Sequence, residues 1–191
     1  CSKVGQLVTT RIPGLQGRRA KIHRLIDNWR DVILGELNER WVMSRYCTLL
    51  TDFGEVDPYV GCMKGVLLSK APGVQLIDLS HQIKPQDVFR GSLFWADTLP
   101  WFPGGTVHLG VIDPGVGTDR RVCVAEGEGH ILVCPDNGLL SHWWHQTDQP
   151  RVFEVTRQDL FLSDVSSTFH GRDIFSPVAA ALVKGVVRPE D

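Results

Sequence analysis

The 191-residue sequence has no excess of either charge: 20 Lys and Arg stand against 22 Asp and Glu, a net charge near -2. That balance excludes the electrostatic footprint of a nucleic-acid or anionic-membrane binder. No apolar run approaches the roughly 20 residues needed to cross a bilayer. The start, Cys1-Ser2-Lys3-Val4, lacks the charged region and apolar core of a secretory signal. Five cysteines are present, at positions 1, 47, 62, 123 and 134, an odd number with no C-x-x-C pair. Cys47, Cys123 and Cys134 lie inside apolar runs, which reads as buried free thiols in a reducing compartment, and the cytoplasm is the expected location. Several chemistries are also missing their signatures. There is no G-x-x-x-x-G-K-[ST] and no G-x-G-x-x-G, so neither a P-loop nor a dinucleotide fingerprint is supported. No G-x-S-x-G elbow appears. The seven histidines show no H-E-x-x-H or paired ligand spacing, so no metal and no cofactor is expected. Internal repeats and low-complexity tracts are absent too.

What is present is ordinary globular material. Apolar residues make up 42% and charged residues 22%, enough for one domain with a sizeable core. Residues 1–42 read differently from the rest, with Ile22, Leu25, Ile26, Trp29, Ile33 and Leu37 at helical spacing among charged residues. This segment is either a partner-docking helix or an extension outside the domain. The extension is the favoured reading, because Met43 stands just before the first strong strand. The domain itself is expected over 43–187, with 188–191 starting a linker.

From Tyr46 onward strands and helices alternate. Strands are expected over 46–51, 74–79, 106–112, 121–125, 131–134 and 152–155. Helices are expected over 59–70, with Pro58 as first helical residue, over 86–99, through Trp143 and Trp144, and over 176–183 with Gly185 as stop. The second helix should turn Val88, Leu93, Phe94 and Trp95 to the core. Such alternation predicts an α/β fold, a largely parallel central sheet covered by helices on both faces.

Ligands of open α/β sheets bind at the carboxyl ends of the strands, and three of these ends carry polar groups. Asp52 ends the first strand and Asp57 follows five residues later. A carboxylate here can accept hydrogen bonds from a ribose diol or cap the helix beginning near Pro58, and both hold if Asp57 caps while Asp52 binds. Asp113 ends the third strand, followed by the turn of Pro114, Gly115 and Gly117 and by Arg120 and Arg121. His170 lies in Phe169-His170-Gly171-Arg172-Asp173, just before the last helix. Asp136-Asn137-Gly138 is first of all a turn, with a secondary chance of lining the site. A carboxylate, a guanidinium and an imidazole without a covalent nucleophile suit the placement of water.

These segments carry a specific resemblance. Leu49-Leu50-Thr51-Asp52-Phe53-Gly54, Asp57-Pro58-Tyr59-Val60-Gly61 with Met63-Lys64-Gly65, and Ile77-Asp78-Leu79-Ser80-His81 resemble the S-adenosylmethionine hydroxide adenosyltransferase family. So do Gly110-Val111-Ile112-Asp113-Pro114-Gly115-Val116-Gly117-Thr118, Pro135-Asp136-Asn137-Gly138-Leu139-Leu140 and Phe169-His170-Gly171-Arg172-Asp173. The resemblance spans about residues 46–185. It implies hydrolysis of S-adenosylmethionine to adenosine and methionine by water attacking ribose C5′, with no metal. It further implies that Asp113, Arg120 and His170 hold that water, with Arg121 as the competing neighbour of Arg120. Arg120 would stabilise developing hydroxide, while Asp113 and His170 orient it or relay its proton. Asp52 would take the ribose hydroxyls and Asp57 the methionine ammonium, with Phe53, Asn137 and Gly171 also lining the substrate.

Halogenating relatives carry a tyrosine at the position matching Asp113, and a carboxylate there would repel halide. The aromatic that stacks near substrate in the fluorinase falls at Gln86. Asp113 and His170 together favour hydrolysis over a chlorinase-like reaction, and Gln86 is another departure from the halogenase pattern. The family also implies a second, mostly β domain, expected after Asp191, and homotrimers with sites between subunits. A chain without that domain is expected to bind substrate weakly, as a slow enzyme or a nucleoside-binding module.

Overall fold

The computed structural model describes residues 45–191, and the expected extension over 1–42 lies outside the described residues. Six strands, β1 (Tyr46–Thr51), β2 (Gln75–Ser80), β3 (Val107–Val111), β4 (Val122–Gly127), β5 (His130–Pro135) and β6 (Arg151–Glu154), form one sheet in the order β2-β1-β3-β5-β4-β6. β2, β1, β3 and β5 pair in parallel, while β4 is antiparallel to both β5 and β6. The expectation of a largely parallel sheet therefore holds with one inversion. The two residues Glu128 and Gly129, both at positive φ, turn β4 straight back into β5. A hairpin needs no crossover helix, so the alternation signal is silent there.

Helices α1 (Tyr59–Lys70), α2 (Val88–Thr98), α3 (Ser141–Gln146) and α4 (Ser176–Lys184) cover both faces. On one face Met63 and Leu67 of α1 and Val178, Ala179 and Leu182 of α4 pack on Cys47, Leu49, Leu109 and Val111. On the other, Trp95 of α2 and Trp143 of α3 pack on Leu50, Leu132 and Cys134. Alternate residues of β1 thus enter opposite cores, as the period of two requires. α2 buries Gly91, Ser92, Trp95 and Ala96, and Val88 and Phe94 pack on that core. Leu93 is half-buried outside it, a correction to the expected face by less than one turn.

Helix ends follow local chemistry. The Asp87 carboxylate accepts from Arg90 N at 3.0 Å to cap α2. Gly185, at φ 65°, closes α4 by donating to Leu182 O, and Val186 N reaches Ala181 O, the paired bonds of a left-handed helix stop. α1 opens on Pro58 with no side-chain cap, so the expected capping by Asp57 does not occur. Cys47, Cys123 and Cys134 are buried free thiols. Burial pushes Cys47 up to about 12 and Cys123 up to about 11, which keeps them protonated and inert at neutral pH. Among the described residues no helix is long and apolar enough to cross a membrane.

Candidate active site

The strand order creates the site's location. From β1 the chain crosses to β2 on one side and then to β3 on the other, so the topological switch point, where ligands of such sheets bind, lies beyond the carboxyl ends of β1 and β3. Thr51 is paired with Val111, which sends Asp52 and Asp113 out of adjacent strands at nearly the same level. The inverted strand β4 starts at this rim, since Val122 faces Pro135 at the end of β5. The antiparallel hairpin thus delivers Arg120 and Arg121 where the parallel strands deliver carboxylates.

Asp113 and Arg120 form a forked pair. Arg120 Nε lies 3.0 Å from both Asp113 oxygens and Nη2 lies 2.6 Å from Oδ2. The side chains are 5% and 10% exposed respectively. Bidentate geometry fixes both partners in one plane. The guanidinium sits 5.0 Å over the ring of Phe175, which is fully buried, so an aromatic face backs the cation from behind. Arg121, by contrast, is 62% exposed and pairs with Asp136, with Nη2 2.6 Å from its carboxylate. Geometry thereby separates the two arginines, and Arg120 is the one in the cluster.

His170 completes it. Its Nδ1 lies 2.8 Å from Arg120 Nη2. A guanidinium only donates, so Nδ1 is the bare acceptor nitrogen and the ring proton resides on Nε2. Burial, followed by the Arg120 charge, holds the imidazole below its ordinary pKa, opposed by Asp113, Asp173 and a hydrogen bond with the Ser166 backbone. At neutral pH the cluster is a carboxylate, a guanidinium and a neutral imidazole.

His170 stands at the entrance to a π-helical turn, Gly171–Phe175, that runs into α4. Gly171 O accepts both the Ser176 backbone N–H that closes the wide turn and Ser176 Oγ–H at 2.7 Å. Such single wide turns recur at functional sites because they re-aim one side chain within a helix. The space around Gly171 is tight on one side. A Cβ there would sit 3.2 Å from Met63 Sδ and 3.5 Å from the Phe53 ring. Phe53, Tyr59 and Phe169 form an aromatic trio, with centroids 5.0 to 6.2 Å apart, beside this turn.

Asp52, Asp57 and Asn137 occupy different situations. Asp52 Oδ2 accepts from Gln86 N at 2.7 Å, and Gln86 is held at φ 66°, so one carboxylate oxygen fixes the β2–α2 loop. Asp57 is exposed on the loop before α1. Asn137 Nδ2 donates to Ile112 O at 2.8 Å, and its Oδ1 accepts from Leu139 N. Asn137 therefore locks the β5 turn to the residue before Asp113, the turn role foreseen for it.

One network carried no role in the sequence. His81 Nδ1 lies 2.8 Å from Thr51 Oγ1, and the same hydroxyl accepts from Phe53 N at 3.3 Å. His81 Nε2 lies 3.0 Å from Asp78, which also pairs with Lys64, and His81 O accepts from Gly54 N. Only its place at a strand end could have flagged it.

Residues 47–191 match the family described as SAM hydroxide adenosyltransferase N-terminal domain. This chain belongs to that family. It is 45% identical over 142 residues to the (R)-S-adenosyl-L-methionine hydrolase of Salinispora tropica, covering 73% of this chain and 54% of that protein. The corresponding hydrolase of Thermus thermophilus is 42% identical over 144 residues, covering 72% and 56%. A fluorinase of Actinoplanes sp. is more distant, at 28% identity over 160 residues. An uncharacterized conserved protein from Thermotoga maritima has a solved structure that superposes with a TM-score of 0.72 at 37% identity, covering 75% of this chain and 56% of that one. The chain spans about half the length of the curated relatives it matches. Asp113, Arg120 and His170 all lie inside the matched span.

Proposed function

We propose that this chain is the catalytic domain of an S-adenosyl-L-methionine hydrolase, forming adenosine and methionine by attack of water at ribose C5′. The observation that carries this reading is the Asp113–Arg120–His170 cluster, three polar side chains locked together at the sheet's switch point. Family membership supplies the substrate class, and the identities to hydrolases exceed that to a fluorinase.

The chemistry asks little of an acid. The C5′–S bond breaks with its electron pair going to sulfur, and the sulfonium leaves as a neutral thioether. The burden is to hold one water in line with that bond, drain its proton and exclude competing solvent. Arg120 Nη2 is committed to Asp113 and His170, so donors at Nη1 are left to stabilise oxygen as charge develops. Asp113 Oδ1 accepts only from Arg120 Nε, retaining a lone pair to orient the water and receive its proton. His170 then acts through its bare Nδ1 as a brace for Arg120, since that nitrogen is not free to accept a proton from water while the contact lasts. This narrows the expected proton-relay role of His170 to positioning.

Asp52 is the ribose-diol ligand in this reading, because its Oδ1 is left after Oδ2 binds Gln86. Asp57 meets the substrate ammonium, and Phe53 and Gly171 form the apolar wall. No metal or cofactor is required, and the assembly would be a cytoplasmic homotrimer. Incubating the protein with S-adenosylmethionine, with and without chloride, tests the reading. Adenosine formation independent of halide is expected. A 5′-chloro nucleoside would make the protein a halogenase, and binding of nucleoside without any product would make it a binding module.

A further inference from the structure

The 163–173 segment that carries His170 is exposed over much of its length, yet its histidine must meet Arg120 within a few tenths of an ångström. Something rigid has to set it. Asp173 is fully buried, belongs to the π-helical turn and points back into this loop. Its Oδ2 accepts from Ser166 N at 2.9 Å and its Oδ1 from Arg172 Nε at 2.6 Å. Burial opposes its ionisation, but the bonds from Arg172 and Ser166 outweigh it and hold the carboxyl below its usual range. It is a buried anion with both oxygens engaged by donors.

Ser166 passes the constraint on. Its Oγ accepts from Phe169 N at 3.0 Å, which tightens the four residues leading to His170, and Leu162 N bonds Asp173 O at 2.9 Å. The next residue, Ser167, lies on the catalytic turn. A Cβ placed on Gly117 would come within 2.5 Å of Ser167 O, and Gly117 has φ 78°. Only glycine permits both the backbone conformation and this approach. The loop that bears His170 is thus clasped to Asp173 on one side and seated on the Asp113–Arg120 turn on the other.

We infer that Asp173 is a positioning residue for the Arg120–His170 contact, acting by clamping Ser166 so that the loop over 166–170 rests on the Gly117 turn. Asparagine cannot replace it. An amide offers one acceptor where two donors converge, so its NH2 would face either Ser166 N–H or the Arg172 guanidinium. The consequence for turnover rests on the hydrolase reading above, whereas the consequence for His170 geometry does not.

The two roles open to Asp173 move His170 in opposite directions. As a bare negative charge, Asp173 raises the affinity of His170 for a proton, so removing the charge alone lowers the imidazole pKa. As a clamp, it keeps His170 half-buried against the Arg120 cation and bonded to the Ser166 backbone; burial is the largest of these effects and the Ser166 bond the smallest, so releasing the clamp raises the pKa toward the ordinary value of about 6.5. Besides Arg120, the charged groups facing His170 are Asp113 and Asp173, and neither Arg120 nor Asp113 changes in the variant.

The test is NMR titration of the His170 ring in the full chain, assigned by loss of its signal in His170→Asn, for the wild type and Asp173→Asn. The wild type is expected to show a neutral ring protonated at Nε2 and a pKa below the ordinary value. Asp173→Asn should raise that pKa and mix the tautomers, with kcat reduced about 10²-fold and KM for S-adenosylmethionine changed less than about twofold. A folded variant whose His170 pKa stays put or falls overturns the proposal. If the wild type turns over no S-adenosylmethionine, the hydrolase reading falls and the titration still decides the clamp. Should Asp173→Asn not fold, Ser166→Pro removes the clamped N–H from the loop side, with the same expected and overturning results.

Discussion

Replacing Asp113 by asparagine changes one atom and separates charge from shape at the centre of the site. The side chain is 5% exposed and makes three N–H···O contacts with Arg120, at 3.0, 3.0 and 2.6 Å. If the amide oxygen keeps the short Nη2 contact, its NH2 then faces Nε, donor against donor. If it turns over, the NH2 meets Nη2 instead. The first orientation leaves Nη2 and Nε sharing one oxygen, the second leaves the Nε bond alone, and either way the two-oxygen fork is lost. Breaking a buried ion pair by removing one partner costs about 3–5 kcal/mol. Here His170 and the Phe175 face still hold the guanidinium, and at least one hydrogen bond survives, so the net loss should be about 2–3 kcal/mol. For a domain of this size that corresponds to a fall in Tm of about 6–10 °C. Turnover should fall further than stability suggests. On the proposed mechanism the group that orients water and takes its proton is lost, a role worth about 10²–10⁴-fold. The assay is adenosine release under saturating S-adenosylmethionine, beside a thermal melt and a nucleoside-binding isotherm. Binding should persist within a few-fold, since Asp52 and the aromatic trio are untouched. Turnover within threefold of wild type would refute the role given to the carboxylate, and an unchanged Tm would refute the buried pair itself.

The remaining expectations concern separate parts of the molecule. Arg121→Ala should leave turnover unchanged, because its partner Asp136 is on the surface, whereas Arg120→Lys should abolish it, a single ammonium being unable to fork to Asp113 and brace His170 together; parallel rate assays check this. His81→Gln should raise KM with little change in kcat, since the Thr51–His81 contact sets the Asp52 turn rather than the water; initial rates over a substrate series decide it, and a kcat effect alone would count against that division. Thr48, His108 and His130 form a buried polar chain across β1, β3 and β5 at 2.8 and 3.0 Å, and burial holds both histidines below their ordinary pKa. Below about pH 6.5 the unfolded chain therefore binds protons that the folded chain refuses, so stability is complete above that pH and falls as pH drops through it; melts from pH 8 to 5 should show a steeper loss in wild type than in His108→Gln. Gly110→Ala should destabilise by about 1–3 kcal/mol, read from the urea midpoint, because the new Cβ would lie 2.4 Å from the buried Trp95 ring.

The strand ends were legible because each couples an apolar run to a polar residue, which fixes both the element and the rim it reaches. Asp52 and Asp113 were placed that way, and the helix over Tyr59–Lys70 is marked at both ends by proline and glycine; the 169–173 segment, expected as a third strand end, instead leaves a loop and enters the π-helical turn. Four things were not legible. The inversion of β4 leaves no trace in hydrophobic period, since a strand buried on both faces reads alike in either direction, yet it is what brings Arg120 to the rim. The choice between Arg120 and Arg121 depends on side-chain aim. Only the surface pairing of Arg121 with Asp136 resolves it. The π-helical turn, with Asp173 pointing backward into its own loop and Phe175 beneath Arg120, is announced by no local propensity. His81 sat in a quoted stretch without a role because a single histidine carries little information until its partners across the sheet are known.

The central claim is that water bound by Asp113 and Arg120 attacks ribose C5′. Turnover in H2¹⁸O, with mass analysis of both products, tests it most directly. The account predicts one ¹⁸O in the 5′-hydroxyl of adenosine and none in methionine. Label in the amino-acid product, or adenosine formed without label, would contradict it.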